Sequence, residues 1–279
     1  MIEHVKATDI RKPAVAGMFY PGEKHTLKRQ IEQLLSGTET KRIDGKIFGI
    51  ISPHAGYMYS GPVAAEAYNQ LIGRQYDYVA VISPSHRDYI SGVSVFNGLA
   101  YETPLGNVPI AIDLANKLIN SNENFFSSFA GHRQEHALEV QLPFLQSVLA
   151  DFKLIPIVMG EQDYDLCKAL GDALAEILEQ HNALIVASSD LSHFHSYSEA
   201  ERLDSIIVEY VNHFDELGLA EDLKSGVCEA CGGGPMISAM IACKILGVNN
   251  ISVLKYMNSG DVIADRREVV GYLAAAIYK

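Results

Sequence analysis

The stretch IFGIISPH, residues 47–54, sets the fold: a run of apolar, β-branched-rich residues stops at a small polar step and delivers a histidine. The same arrangement recurs in YVAVISPSH, ending at His86, and in ALIVASSDLSH, ending at His193. Short continuous apolar runs of this length read as strands buried on both faces of a parallel sheet. In open α/β sheets, ligands gather in the crevice outside the carboxyl ends of the strands. Three histidines at three such ends can therefore converge on one point.

Working outward, strand-like and helix-like segments alternate. Lys46–Ser52 reads as a strand and Pro62–Leu71 as a helix with proline in its first turn. Tyr76–Ser83 is the next strand. Val93–Ile110 departs from this rhythm: VSVFNG and YETPLGNVPI predict a small antiparallel insertion with turns at Asn97-Gly98 and Gly106-Asn107. Helical spacing returns at Asp113–Ile119 and at Glu135–Leu149, where Leu138, Leu142 and Leu145 share a face and Pro143 is expected to bend or restart the helix. Lys153–Val158, Ala183–Ala187, Ile251–Tyr256 and Val269–Ala276 read as strands. Tyr164–Glu179, Ser196–Phe214, Glu216–Leu223 and Met236–Leu246 read as helices. The βαβα order predicts a three-layer α/β fold, with a mostly parallel central sheet and helices on both faces. No linker or change of composition divides residues 1–279, which read as a single domain.

The 279 residues carry 22 Lys+Arg against 34 Asp+Glu, a formal charge of −12 that argues against attraction to nucleic acid or an anionic membrane. No apolar run is long enough to span a bilayer, and MIEHVKATDIRKPAVAG lacks a signal-peptide core, so a cytoplasmic location is expected. Four cysteines are too few for a disulfide framework in a chain of this size.

Around His54, Pro53 stiffens the strand exit and Gly56 permits a tight reversal; SPSH repeats the device at His86. Either histidine alone would read as a hydrogen-bonded loop residue. The matched pair favours metal ligation, because neutral imidazole is the commonest metal ligand. In SSDLSHFH, Asp190 and His193 stand three apart, a spacing at which a helical turn or compact loop lets the carboxylate orient the ring for acid-base work; the competing reading is a helix cap. His195 reads as a bystander.

Cys228 and Cys231 form a C-x-x-C pair in CEACGGGP, with no second pair to complete a zinc site and three glycines where a redox motif would open its helix. Cys231 before those glycines suggests a thiolate beside helix N–H groups, with a lowered pKa. Cys167 and Cys243 lie in helical stretches and read as buried hydrophobes. His136 and Glu139, on one helical face of EHALEVQLP with Glu135 preceding them, read as solvated or as supporting a site.

Taken in order, GMFYPG (17–22), SPHAGY, SPSH, EHALEVQLP, SSDLSH and CGGGP resemble the Memo family, component B of the AmmeMemoRadiSam system in prokaryotes. The resemblance spans nearly the whole chain and implies a fold like that of class III extradiol ring-cleavage dioxygenases. It also implies metal ligation by His54, His86 and Cys231, with Asp190 and His193 as neighbouring catalytic residues; His136 and Glu139, on the residue reading alone, are candidates for support or substrate contact. Those dioxygenases use two histidines and a glutamate on Fe(II). By that likeness Fe(II) is expected first; the thiolate in place of the carboxylate is softer and favours Cu(I), Zn or a thiolate-ligated iron, so Cu and Zn are alternatives and ring cleavage does not simply carry over. The implied function is metal-dependent redox chemistry on a small molecule, a peptide or a modified residue. A radical-SAM protein and an AMMECR-type domain protein are the implied partners. The alternatives are a non-enzymatic binding module and a hydrolase with Cys231 as nucleophile and His193 as base.

Overall fold

A computed structural model describes residues 5–279; the first four residues of the segment read as lacking a leader lie outside the described part. The chain begins with β1 (Ile10–Arg11) and α1 (Lys24–Ser36), then runs through β2 (Ile47–Ser52), α2 (Tyr57–Asn69) and β3 (Tyr78–Pro84). Next come β4 (Val93–Val95), β5 (Ala100–Thr103), β6 (Gly106–Pro109), α3 (Ile112–Ile119) and β7 (Phe125–Ser127). The middle of the chain forms α4 (Gln141–Val148), β8 (Lys153–Met159), α5 (Tyr164–Leu178), β9 (Ala183–Ser188) and β10 (Asp190–His195). The remainder is α6 (Tyr197–Asn212), α7 (Glu216–Ser225), α8 (Gly233–Ile245), β11 (Asn250–Asn258) and β12 (Val269–Tyr278).

The main sheet runs β10-β12-β2-β9-β3-β8-β4-β7, with β11 also paired to β12. At its centre β2, β9, β3 and β8 are mutually parallel, as the unbroken apolar runs predict: every residue of β9 and the last six of β3 are buried. The wings are largely antiparallel, because β12 pairs antiparallel with β2, β10 and β11, and β4 with β8. The sheet is therefore mixed, parallel where the histidine-bearing strand ends lie. Helices α1, α2 and α4 pack together as one layer, while α3 and α8 pack on the sheet with α5 against both as the other.

Several local expectations are corrected. Helix α2 starts at Tyr57, five residues before Pro62, because Tyr57 is buried and its N–H donates to the Phe19 carbonyl at 2.8 Å. Gly56 caps that helix in an ordinary extended conformation (φ −58°) rather than making a left-handed reversal. The insertion divides: β4 joins the main sheet, while β5 pairs with β1 on one side and β6 on the other in a separate three-stranded sheet. The hairpin turn falls at residues 104–105, so Gly106 is already the first residue of β6.

The correction that matters most concerns residues 135–149. The helix begins only at Gln141, so Pro143 sits in its first turn, where a missing N–H leaves no helical bond broken. Residues 135–140 form a tight, buried turn instead of a helical face. Similarly, DLSH at 190–193 forms neither a helical turn nor a loop but part of the irregular strand β10, with register shifts against β12 around His193.

Candidate metal centre

His54 follows β2 and His86 follows β3, both at the carboxyl edge of the parallel strands, and the turn before α4 brings His136 to the same place. The ring centroids are 5.1 Å apart for His54–His86, 4.8 Å for His86–His136 and 5.4 Å for His54–His136. One ring nitrogen from each lies within 4.8 Å of the other two, a spacing suited to holding one ion. The sulfur of Cys231 lies against this group rather than within it, 3.1 Å from His54 Nε2.

Hydrogen bonding decides which nitrogen each imidazole offers. The Ser188 hydroxyl donates to the Ala137 carbonyl (2.7 Å) and accepts from Gln141 Nε2 (2.8 Å), so it meets His54 Nδ1 (2.9 Å) as an acceptor. His54 therefore carries its proton on Nδ1, and Nε2 presents a lone pair toward Cys231. Burial, reinforced by the neighbouring rings of His86 and His136, pushes its pKa well below the ordinary value and keeps it neutral.

Glu135 plays the corresponding part for His86. Its carboxylate accepts from the backbone N–H of His86 (2.5 Å) and from His86 Nδ1 (3.0 Å), and also from the N–H groups of His136 and Ala137, both at 2.9 Å. Burial alone would raise its pKa. The bonds from His136 and His86 outweigh that effect and hold the carboxyl far below the usual range, so it stays ionised. His86 is thus also tied at Nδ1 with Nε2 free, the tautomer and orientation of a metal-ligating imidazole with an outer carboxylate. His136 Nδ1 lies 3.1 Å from the same carboxylate but is buried without a well-aligned hydrogen bond.

The expected Asp190–His193 pair does not form. Asp190 is buried and its Oδ1 accepts the His54 backbone N–H at 2.7 Å, while His193 Nδ1 donates to the Leu191 carbonyl at 2.7 Å. Between them β10 is bulged, with Asp190 opposite Tyr272 and His193 opposite Val270, and each side chain spends its hydrogen bond on a backbone group instead of on the other. Asp190 thereby positions His54, and burial raises its pKa. His193, with its proton on Nδ1, keeps Nε2 free. His195 bonds instead to Glu229 across 2.9 Å.

Cys231 also differs from expectation: burial of the sulfur and the nearby Asp190 push its pKa up, outweighing the helix N-terminus that follows. Without a cation beside it the thiol keeps its proton and donates toward His54. Its backbone is fixed by Gln162, whose Nε2 donates to the Cys231 carbonyl (2.9 Å) and whose Oε1 accepts from Gly234 N–H (2.7 Å). Cys167 and Cys243 are buried, and burial raises both thiols, Cys167 to about 12.

Glu139 does not reach the cluster. It is ion-paired with Arg11 and accepts from Ala14 N–H (2.7 Å), Val15 N–H (3.1 Å) and the Tyr20 hydroxyl. That network fastens the GMFYPG loop, and Phe19 of the loop packs its ring 4.6 Å from that of His136. Sequence reasoning missed Ser188 and Gln141 and gave Glu135 no role. Its position beside His136 was the available signal.

Fold and site together define a three-layer α/β protein with a histidine-rich candidate metal centre at the carboxyl ends of parallel strands. Residues 11–276 match the family model described as Memo-like protein, and the chain belongs to the Memo family. A MEMO1 family protein of Nitrosopumilus maritimus is 38% identical over 94% of this chain and 98% of its own length. Another, from Methanosarcina mazei, is also 38% identical, over 96% and 99%. The fold is shared with a solved structure of uncharacterized protein JW3007 from Escherichia coli K12, at a TM-score of 0.55 and 13% identity over 83% of this chain and 100% of that one. Among the described residues no helix is long and apolar enough to cross a membrane.

Proposed function

We propose that this protein is a metal-dependent oxidoreductase that holds a first-row transition ion with His54, His86 and Cys231 and acts on a small molecule or a modified residue. The observation that carries the reading is the convergence of the His54, His86 and His136 imidazoles from separate elements with the Cys231 thiol against His54; His54 and His86 are each tied at Nδ1 so that Nε2 is left as donor. The buried, poorly partnered His136 Nδ1 adds a polar atom that a neighbouring ion or its bound water would satisfy. Two imidazoles and a thiolate suit Fe(II), Cu or Zn better than Mg or Ca, with Fe(II) first. When bound, such an ion supplies Lewis acidity and, for iron or copper, one-electron chemistry.

The chain's own residues supply the rest. Glu135 and Ser188 fix the rings of His86 and His54, and Asp190 fixes the His54 backbone. His193 Nε2 is the free base placed to take or return a proton, because its other nitrogen is committed to Leu191.

Anaerobic reconstitution of the wild type and the His54→Ala/His86→Ala double variant tests the reading. The wild type should take up about one equivalent of iron or copper per chain and the double variant far less; equal uptake removes the proposal. Cys231→Ser should lower the affinity for copper and iron by at least about tenfold. A hydrolase using Cys231 as nucleophile is favoured by the short contact between its sulfur and His54, yet the raised thiol pKa works against it. Turnover of an ester by chelated protein, abolished by alkylating Cys231, would turn the assignment to that chemistry.

A further inference from the structure

A cavity of roughly 800 Å3 reaches Cys231 and is walled by the start of α5, by α7 and by the start of α8. Its size is that of a small-molecule site. His193 and Cys231 line it, whereas His54, His86 and His136 do not, so the thiol and His193 are where the chamber meets the candidate metal centre. Its apolar wall comes from Leu191, Leu217, Ala220, Leu223 and Ile237, and Leu217 is 49% exposed at the lip.

The charged part of the lining is one-sided. Asp163, Asp165, Glu221 and Glu229, all exposed at the rim, stand with a single lysine, Lys224. Asp163 is engaged with the Leu166 N–H and Glu229 with His195, but among the described residues Asp165 and Glu221 make no side-chain hydrogen bond or ion pair. Two unengaged carboxylates at an apolar chamber complement a ligand with an apolar body and a cationic head, and repel a carboxylate or phosphate.

We propose that this chamber binds a small amphipathic amine, with its ammonium toward Asp165 and Glu221 and its apolar body against Leu223 and Ile237, and presents it to Cys231 and His193. That the chamber serves the metal centre rests on the functional reading above; that it selects an amine does not.

The test is calorimetric titration of the full-length protein, as purified, with phenethylamine, phenethyl alcohol and hydrocinnamate, which share a ring and differ in the head group. Phenethylamine should bind at least about tenfold more tightly than hydrocinnamate, and Asp165→Asn/Glu221→Gln should erase that preference. Ala220→Phe, which fills the chamber, should abolish binding while leaving melting temperature and metal uptake near wild type. A blocked peptide bearing the amine on a lysine side chain assigns the source: tighter binding than the free amine places the head group on a polypeptide. Equal or tighter binding of hydrocinnamate, or an unchanged preference in the double variant, overturns the assignment. His86→Ala separates the two readings, since it should lose metal and keep the amine. Amine binding by a wild type that takes up no metal would refute the metal centre alone.

Discussion

Cys231 Sγ lies 3.1 Å from His54 Nε2 although 177 residues separate the two in sequence. The contact depends on Gly232. A Cβ at that position would stand 2.2 Å from the Ser188 carbonyl oxygen and 2.7 Å from the Ser189 Cβ. Backbone of β9 cannot yield that far, so Gly232→Ala must push the Cys231 segment away from the sheet edge. The expected outcome is a fall in iron and copper affinity similar to that of Cys231→Ser, read by competition titration. Wild-type affinity in a folded Gly232→Ala protein would show that the thiol does not contribute.

Glu135 holds one imidazole by its ring and three residues by their backbone N–H groups, so its charge is the organiser of the turn before α4. Glu135→Gln keeps the shape but replaces an acceptor oxygen with a donor, and it cannot satisfy all of these groups. Metal affinity should drop about 10–100-fold, as outer-shell substitutions generally cause. Titration with the first metal that reconstitutes the wild type measures it; a change below about threefold would deny Glu135 that role.

Arg11 is buried against Glu139 and also donates to the carbonyls of His132 and Glu135. Arg11→Met leaves the Glu139 carboxylate buried without its counter-charge, which costs about 3–5 kcal/mol when a buried pair is broken. The loop that Glu139 fastens, residues 14–20, should exchange amide hydrogens faster. Denaturant unfolding and hydrogen exchange followed by mass spectrometry give the two readouts, and a loss below about 1 kcal/mol would count against the network.

His132 is fully buried, with Nε2 donating to the Ser94 carbonyl (3.1 Å) and Nδ1 accepting from the Tyr101 hydroxyl (2.5 Å), an arrangement that only the neutral ring satisfies. Burial, aided by the charge of Arg11 and opposed by the bond to Ser94, lowers its pKa to about 3. Above about pH 6.5 the ring is neutral in both folded and unfolded chains. Below that, the unfolded chain takes up a proton that the folded one refuses, so stability falls toward pH 3 by up to about 1.4 kcal/mol per unit. His132→Gln should be less stable near neutrality yet decline less steeply on acidification. Urea unfolding at several pH values compares the slopes, and equal slopes would sink the prediction.

The strands were legible because burial on both faces leaves an apolar run that needs no partner to be recognised. IFGIIS, YVAVIS and ALIVAS all became parallel strands, and their histidines at 54 and 86 lie at the expected edge. Helix boundaries were less legible where proline was the guide. Pro62 lies inside α2 and Pro143 opens α4, because the chain's packing, rather than the ring alone, chose where each helix began.

By itself, then, the sequence determined the α/β layers, the strand ends that carry His54 and His86, and the family to which the chain belongs. Only the tertiary structure decided that His136 stands with those two, that Asp190 serves His54 instead of His193, and that a chamber opens at Cys231. Periodicity records which side chains avoid water along a single element. Distances between side chains on different elements depend on strand order and turn geometry, which local residue patterns do not encode.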